Sequence, residues 1–176
     1  MKQLLITIAA VLLVGCGPSA PDISIHEAVE QGDIQALKKH LIAGTDVNES
    51  DDNGWTPLHI ASQIEYKEMI ELLIDKNANV NVKRKDGATP IDMARDMVII
   101  NLLQTNGGKH STIHRAVASR NVQAIKDFLD SGIDVNAKNN DGETPLDVTD
   151  GDKEIIDLLR KLGGKKYDHS SSSCSG

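Results

Sequence analysis

The fold is decided by the stretch Asp52-Asn53-Gly54-Trp55-Thr56-Pro57-Leu58-His59-Ile60-Ala61, which is typical of a tight turn followed at once by a helix. Asn53-Gly54 is a turn pair, because glycine adopts a positive φ without a Cβ clash. Thr56 is suited to cap a helix N-terminus with its hydroxyl. Pro57 fits the first helical position, where a missing N–H leaves nothing unpaired. An apolar stripe at helical spacing begins at Leu58, so the stretch predicts a hairpin tip that leads into a helix.

This stretch recurs along the chain. Its second copy is Lys85-Asp86-Gly87-Ala88-Thr89-Pro90-Ile91-Asp92-Met93-Ala94, and its third copy is Asn140-Asp141-Gly142-Glu143-Thr144-Pro145-Leu146-Asp147-Val148-Thr149. A repeat of this length sets the whole fold, because each unit must stack on its neighbours to bury its apolar face. The pattern Gly-x-Thr-Pro-Leu-His-x-Ala, with Asp-Val-Asn ahead of the hairpin, resembles the ankyrin repeat, and the resemblance covers roughly residues 23–164.

The resemblance implies an all-α repeat solenoid of about five ankyrin repeats, each a helix-turn-helix unit with a β-hairpin finger. We expect repeats one to three in residues 23–109 and repeats four and five in residues 110–164. Because two repeats alone do not bury a continuous core, one stack of five is the favoured arrangement. A hinge at residues 107–109 is the alternative.

The third and fifth repeats are shortened. One alanine marks the same position at equal intervals in the first three repeats, at Ala28, Ala61 and Ala94. The next alanine of this kind is Ala116, and the interval from Ala94 to it is only two-thirds as long. The third repeat therefore lacks a third of its usual length, including its hairpin. The fifth repeat also ends early, in a Gly-Gly-Lys like the one that ends the third.

Residues 1–15 are predicted to be a signal peptide. Lys2 gives a positive start, and residues 4–14 form an apolar run that is shorter than the roughly 20 helical residues that span a bilayer. The run ends in Leu13-Val14-Gly15-Cys16, which resembles a bacterial lipobox. The resemblance implies that Cys16 is acylated and becomes the new N-terminus. Several acyl chains on one residue would anchor the chain stably to a lipid membrane. An ordinary secretory signal with an incidental cysteine is the alternative.

Both flanks of the predicted array are polar. Residues 16–22 form a lipidated tether of turn and linker residues, and residues 165–176 form a tail that is expected to be disordered. Gly17 follows the cysteine, and by resemblance to known sorting rules it favours the outer membrane, facing the periplasm. If Cys16 is acylated, it cannot form a disulfide, and Cys174 would then be an unpaired thiol.

The charge balance argues against a nucleic-acid partner. Lys and Arg total 19 against 26 Asp and Glu, a net charge of −7, and removing residues 1–15 makes it −8 (18 minus 26). Nucleic-acid binding needs a basic stripe. The chain also has no nucleophile-elbow serine, no H-E-x-x-H and no phosphate-binding loop. We therefore expect no catalytic residues, no cofactor and no small-molecule substrate.

Histidines recur at one repeat position, early in the first helix, at His26, His59 and His114. The resemblance implies that they hydrogen-bond the capping threonine and nearby backbone. Asp92 and Asp147 hold this position in repeats three and five, where we predict that they complete capping boxes.

Two other histidines need separate treatment. His110 lies close before His114 on the chain, but no third ligand is near in sequence, so no metal site is predicted. His40 is expected to face solvent.

The predicted binding surface is the concave face, formed by the finger tips and the exposed side of each first helix. Trp55, the only tryptophan, follows the turn glycine of the first finger and is the predicted centre of a partner site. Its predicted polar surround consists of Asp52, Asn53, Gln63, Lys83, Lys85 and Asp86. Two simpler interpretations remain open: Trp55 merely covers the start of a helix, or the acidic first finger and basic second finger merely neutralise each other.

These observations predict a non-catalytic protein–protein interaction module, anchored to the bacterial cell envelope as a lipoprotein. An immunity or protective protein that masks a specific toxin or enzyme in the periplasm is one alternative. A structural spacer in an envelope assembly is another. The protein partner itself is not predictable, because repeats fix the frame and leave the contact positions free.

Overall fold

Short helices joined by turns make up residues 21–167, the part of the chain that the computed structural model describes. Cys16 and Cys174, and with them the predicted signal peptide and most of the predicted tether and tail, lie outside these residues. The helices are α1 Ile25–Glu30, α2 Ile34–Ala43, α3 Pro57–Gln63, α4 Lys67–Asp75, a 3-10 helix Pro90–Met93, α5 Met97–Thr105, α6 Ile113–Ala118, α7 Val122–Asp130 and α8 Lys153–Lys161.

The helices pair in chain order, which confirms the helical repeat solenoid. The first helix is regular in repeats one, two and four, shortens to the 3-10 helix in repeat three, and becomes a turn after Pro145 in repeat five. Helix starts follow local chemistry. The Ser24 hydroxyl accepts a hydrogen bond from the N–H of Glu27 at 3.1 Å, and Thr56 and His59 form a reciprocal capping box. Gly44 ends α2 with φ 87°.

The fingers are turns rather than the predicted β-hairpins, because no strand forms within residues 21–167. Each of the three fingers is closed across its tip by a backbone N–H···O=C bond of 2.9 Å, from Asp51 to Trp55, from Arg84 to Ala88 and from Asn139 to Glu143. The turn glycine of each finger donates a second backbone bond to the first of these residues. Two bonds around one turn do not make a ladder. Fingers one and two are joined by one further bond, in which Lys85 N–H donates to the Asn53 carbonyl at 3.1 Å.

Buried apolar side chains form two clusters. The first runs from Ile25 to Leu103 and the second from Ile113 to Leu159. Fully buried residues on the second helices, such as Ile70 and Leu73 of α4, occupy their centres. The boundary between the two clusters lies at the shortened end of repeat three, where polar contacts replace the apolar ones.

The Gly-Gly-Lys segments end both clusters in the same way. The Asn81 side chain accepts the N–H of Lys109 at 2.8 Å, and Asn136 accepts the N–H of Lys165 at 2.7 Å. The hydroxyls of Thr89 and Thr144 donate to the carbonyls of these same two lysines, at 2.8 and 2.7 Å. The same pair of hydrogen bonds therefore ends repeat three inside the array and repeat five at its end.

The last repeat extends beyond the predicted boundary at residue 164. The N–H of Tyr167 donates to the carboxylate of Asp147 at 2.9 Å, and the Lys138 ammonium lies 4.4 Å from the centre of the Tyr167 ring. Residues 165–167 thus belong to the fifth repeat rather than to a disordered tail.

Candidate functional site

A groove of about 800 Å³ crosses repeats two, three and four on the side of the first helices. Trp55 and Gln63 line it from repeat two, and Met93 and Ala94 from repeat three. Arginines from the second finger and from repeats three and four complete the lining. A cleft of this size accommodates a ligand of several hundred Å³ and is shaped by three successive repeats.

Trp55 is held in place from several sides. Its carbonyl accepts the Nε2–H of His26 at 2.9 Å, and its N–H donates to the Asp51 carboxylate at 2.8 Å. Burial acts to raise the pKa of Asp51, but the N–H bonds from Trp55 and Asn53 lower that pKa below its ordinary value. The Arg84 guanidinium lies 4.1 Å from the centre of the indole ring. The hydrogen bonds fix the Trp55 backbone, and the half-buried indole is held by Arg84 over one face and by the edge-on His59 ring, whose centre lies 6.1 Å away.

Four of the five arginines in the chain line this groove, namely Arg84, Arg95, Arg115 and Arg120. Arg84 pairs with Asp86, and Arg115 Nη2 lies 3.6 Å from the same Asp86 oxygen. Burial acts to raise the pKa of Asp86, but the N–H of Ala88 and the Arg84 guanidinium lower it below its ordinary value.

The other two arginines lie further along the groove. Arg120 pairs with Asp150 at 3.0 Å, and within residues 21–167 the exposed Arg95 side chain makes no ion pair.

Each recurring histidine binds the next finger. The Nε2–H of His26, His59 and His114 donates to the carbonyls of Trp55, Ala88 and Glu143, at 2.9, 3.2 and 3.0 Å. His59 also binds the capping Thr56 through Nδ1 at 2.9 Å, as the resemblance implied. Burial lowers the pKa of His59 below its ordinary 6.5, which favours the neutral imidazole that this bonding requires.

Asp92 and Asp147 complete capping boxes with Thr89 and Thr144, which confirms the predicted role. Each carboxylate also accepts an N–H from the segment that follows its Gly-Gly-Lys, from Ser111 at 3.2 Å and from Tyr167 at 2.9 Å. Histidine thus stands where the next finger offers a carbonyl, and aspartate where the chain offers an N–H.

A buried polar pair joins the two halves of the array. His110 Nδ1 lies 2.8 Å from Asp92 Oδ1, and both side chains are fully buried. The Asn121 amide nitrogen lies 3.3 Å from His110 Nε2, and the Asn121 oxygen accepts the N–H of Ala124. Because that amide nitrogen only donates, Nε2 is the acceptor and Nδ1 carries the proton toward Asp92. Burial acts to raise the pKa of Asp92, but the hydrogen bond from His110 and that from Thr89 lower it below its ordinary value.

Comparison with known families decides the class of this repeat. Models described as Ankyrin repeats (3 copies) and Ankyrin repeats (many copies) match residues 25–104 and 113–160. The chain belongs to the ankyrin repeat proteins. An ankyrin repeat array is a protein–protein interaction module, and its members are generally non-catalytic.

Several curated proteins are similar to this ankyrin repeat chain. An ankyrin repeat-containing protein of Schizosaccharomyces pombe is 26% identical over 82% of this chain and 57% of its own length. The human neurogenic locus notch homolog protein 1 is 29% identical over 71% of this chain but only 5% of its own length. The mitochondrial disaggregase of Bos taurus is 27% identical over 87% of this chain and 25% of its own length. The chain thus spans from a small part to just over half of these relatives.

The ankyrin fold brings together only part of the predicted partner site. Trp55 and Gln63 line the groove, and Asp86 reaches it through Arg84. Lys83 instead lines a second depression of about 560 Å³, between the second finger and the finger of repeat four at residues 139–143, to which Asp86 also contributes. The remaining three residues lie at finger tips, where Lys85 and Asn53 are joined through backbone and Asp52 is exposed.

Sequence reasoning missed most of the groove cations. Arg115 directly follows the recurring His114, and Arg120 follows α6 in the inter-helix turn. No repeat pattern signals them, because the equivalent positions of repeats one and two hold Glu27 and Ile60 for Arg115, and Gly32 and Glu65 for Arg120.

One histidine was placed wrongly. His40 is buried, and its Nε2–H donates to the Ile23 carbonyl at 2.7 Å, so it does not face solvent as predicted.

Two further properties of the ankyrin array are plain. None of the helices in residues 21–167 is long and apolar enough to cross a membrane. The same part of the chain contains no group of three His, Cys, Asp or Glu side chains placed to hold a metal ion.

Proposed function

We propose that this chain is a non-catalytic protein-binding module that holds a protein partner in the groove at Trp55. The observation that carries the proposal is the placement of a fixed indole and four arginines in one cleft across three repeats. Tryptophan and arginine are among the residues most enriched at the centres of protein interfaces. Gln63 extends this surface along α3, and the finger residues Asp52, Asn53, Lys83, Lys85 and Asp86 form its proposed polar rim.

Partner binding is tested with the tagged full chain, solubilised in mild detergent, and with its Trp55→Ala variant. Trp55→Ala should cost about 2 kcal/mol of affinity for the captured partner, roughly a 30-fold rise in Kd. Ile42→Ala is the matched control, because Ile42 is 70% exposed on α2, outside the groove. An unchanged Kd together with a lower melting temperature would show that Trp55 is structural and would refute this site.

The number of partners distinguishes the remaining interpretations. One stoichiometric partner that is inactive while bound supports the masking of a toxin or enzyme. Several partners that bind the same groove support a scaffold. An envelope assembly that forms only when the chain is present, but that Trp55→Ala leaves intact, supports a spacer.

We further propose that the chain is a lipoprotein of the bacterial cell envelope, held in the outer membrane and facing the periplasm. The support is the sequence of residues 2–16 alone: a lysine, an apolar run and Leu-Val-Gly before Cys16. Cys16→Ser should accumulate as an unprocessed precursor without lipid label. Cys174→Ser is the matched control and should be processed and labelled like the wild type. Equal mass and fractionation of the Cys16→Ser and wild-type proteins would refute the anchor.

A further inference from the structure

The positive charge of the groove stands out against an acidic chain. The net charge is −7, yet four of the five arginines line one cleft, and among the described residues no lysine does. Arginine differs from lysine in presenting a planar fork of donors that matches a carboxylate. The groove is therefore suited to planar anions such as carboxylates rather than to negative charge in general.

One internal carboxylate shows how the groove holds such a group. Asp86 Oδ2 lies between Arg84 and Arg115, which come from the second finger and from α6. The Arg84 guanidinium is fixed against the Trp55 ring, so its donors are oriented before any ligand arrives.

The internal partners leave two of the four arginines open. Arg84 is only 15% exposed and holds Asp86 through both Nε and Nη2. Asp150, by contrast, is 88% exposed, so its pair with Arg120 contributes little stability. Arg95 is exposed and makes no ion pair within the described part of the chain. Arg115 also lies 4.0 Å from the buried Asp92 carboxylate, which already accepts hydrogen bonds from His110, Thr89 N–H and Ser111 N–H. Arg95 and Arg120 are therefore the arginines that an incoming carboxylate reaches against the least internal competition.

From this arrangement we infer that the groove binds an acidic segment of the partner protein, with side-chain carboxylates held by Arg95 and Arg120 beside the cluster of Arg84, Asp86 and Arg115. The inference rests on the proposed protein-binding function and names the chemistry of the partner. Residues 1–20 contain no Asp or Glu and residues 168–176 contain only Asp168, so neither of these two stretches is itself an acidic segment. A nucleic acid fits less well, because Arg84 covers the indole face on which a base would stack.

The test uses the full chain in detergent and fluorescent peptides measured by anisotropy. The probe is a short peptide alternating glutamate and serine, and the control peptide carries glutamine in place of glutamate. The groove variant is Arg95→Glu/Arg120→Glu. Arg120 has φ 55°, and Glu65 adopts φ 59° at the equivalent turn, so glutamate suits that backbone. The matched variant is Arg160→Glu/Lys161→Glu on α8, which changes the net charge equally outside the groove.

We expect the glutamate peptide to bind and the glutamine peptide not to bind. The groove variant should weaken binding about tenfold or more, because like charges then face each other, while the α8 variant should change it less than about twofold. Binding should also weaken as salt is raised. Helical content and melting temperature, measured by circular dichroism, confirm that each variant is folded.

Four results would overturn the inference. They are no binding of the glutamate peptide, equal weakening by both variants, groove-dependent binding of a single-stranded oligonucleotide tighter than that of the peptide, and self-association that the groove variant abolishes. If the captured partner is lost by Trp55→Ala but not by the arginine variant, the protein-binding function stands and the acidic segment is wrong. If neither variant affects the partner, both proposals fail.

Discussion

Two turn glycines provide a direct test of how the fingers stack. Gly54 and Gly87 hold the same position in consecutive repeats and share a φ of 82°. A Cβ at Gly54 would lie 3.0 Å from Arg84 Cα and 3.0 Å from the Lys85 nitrogen, both backbone atoms of the second finger. A Cβ at Gly87 would meet nothing within 4 Å, because the shortened third repeat stacks no finger against it.

The two alanine substitutions should therefore differ in cost. A left-handed φ costs a residue with a Cβ about 1–2 kcal/mol, and this term applies equally to Gly54→Ala and Gly87→Ala. The close approach to backbone adds an overpacking term of about 1–3 kcal/mol at Gly54 alone. The gain from a less flexible unfolded chain is the same for both variants and cancels in the difference. Gly54→Ala should thus lower the free energy of unfolding by about 1–3 kcal/mol more than Gly87→Ala.

Urea unfolding followed by far-UV circular dichroism measures this difference. Gly142→Ala is the matched control, since Gly142 has φ 80° and open space around its Cβ position, and it should behave like Gly87→Ala. Equal losses for Gly54→Ala and Gly87→Ala would refute the stacking of the first finger on the second.

Three further predictions concern titration and folding units. As the pH is lowered below 6.5, His59 takes up a proton more readily in the unfolded chain than in the folded chain, because its folded pKa is lowered. The free energy of unfolding should therefore decrease as the pH is lowered, and His59→Gln should flatten this dependence in urea titrations. Asp92→Asn should lower the free energy of unfolding by about 1–3 kcal/mol at neutral pH. The difference between the variant and the wild type should shrink below pH 3.8, because the stability that comes from the lowered pKa of Asp92 is lost as its carboxylate is protonated. Residues 21–109 should melt cooperatively by circular dichroism, whereas residues 110–167 alone should be largely unfolded, since two repeats do not bury a continuous core; a cooperative melt of the second fragment would contradict this.

The sequence predicted well those features that are decided within a few residues. The helix start predicted at Thr56 forms, and the start at Ser24 and the left-handed ends at Gly44 and Asn77 follow from the same kind of local hydrogen bonding and backbone freedom. His40 was misplaced because its carbonyl acceptor, Ile23, is distant along the chain and belongs to no periodic pattern. The hairpins were over-predicted because turn chemistry fixes a finger tip without requiring the flanking residues to form a ladder.

The exchange of histidine for aspartate was only half understood from sequence. A capping role was predicted for Asp92 and Asp147, and both fill it. The reason for the exchange lies in the neighbouring segment, which only the structure shows. A histidine N–H donor pairs with the carbonyl of a finger, whereas an aspartate acceptor pairs with the N–H groups that follow Gly-Gly-Lys. The aspartates therefore mark the two places where a finger is missing, at the end of each apolar cluster.

The groove itself follows from the shortened third repeat. Arg115 of the fourth repeat reaches Asp86 at the tip of the second finger, at 3.6 Å. A third finger of ordinary length would stand between repeats three and four and would separate these two side chains. The shortening between Ala94 and Ala116 thus places Arg115 and Arg120 in the same cleft as Trp55. No single repeat contains this combination, so the arrangement of the indole and the arginines arises from the spacing between repeats rather than from the repeat pattern.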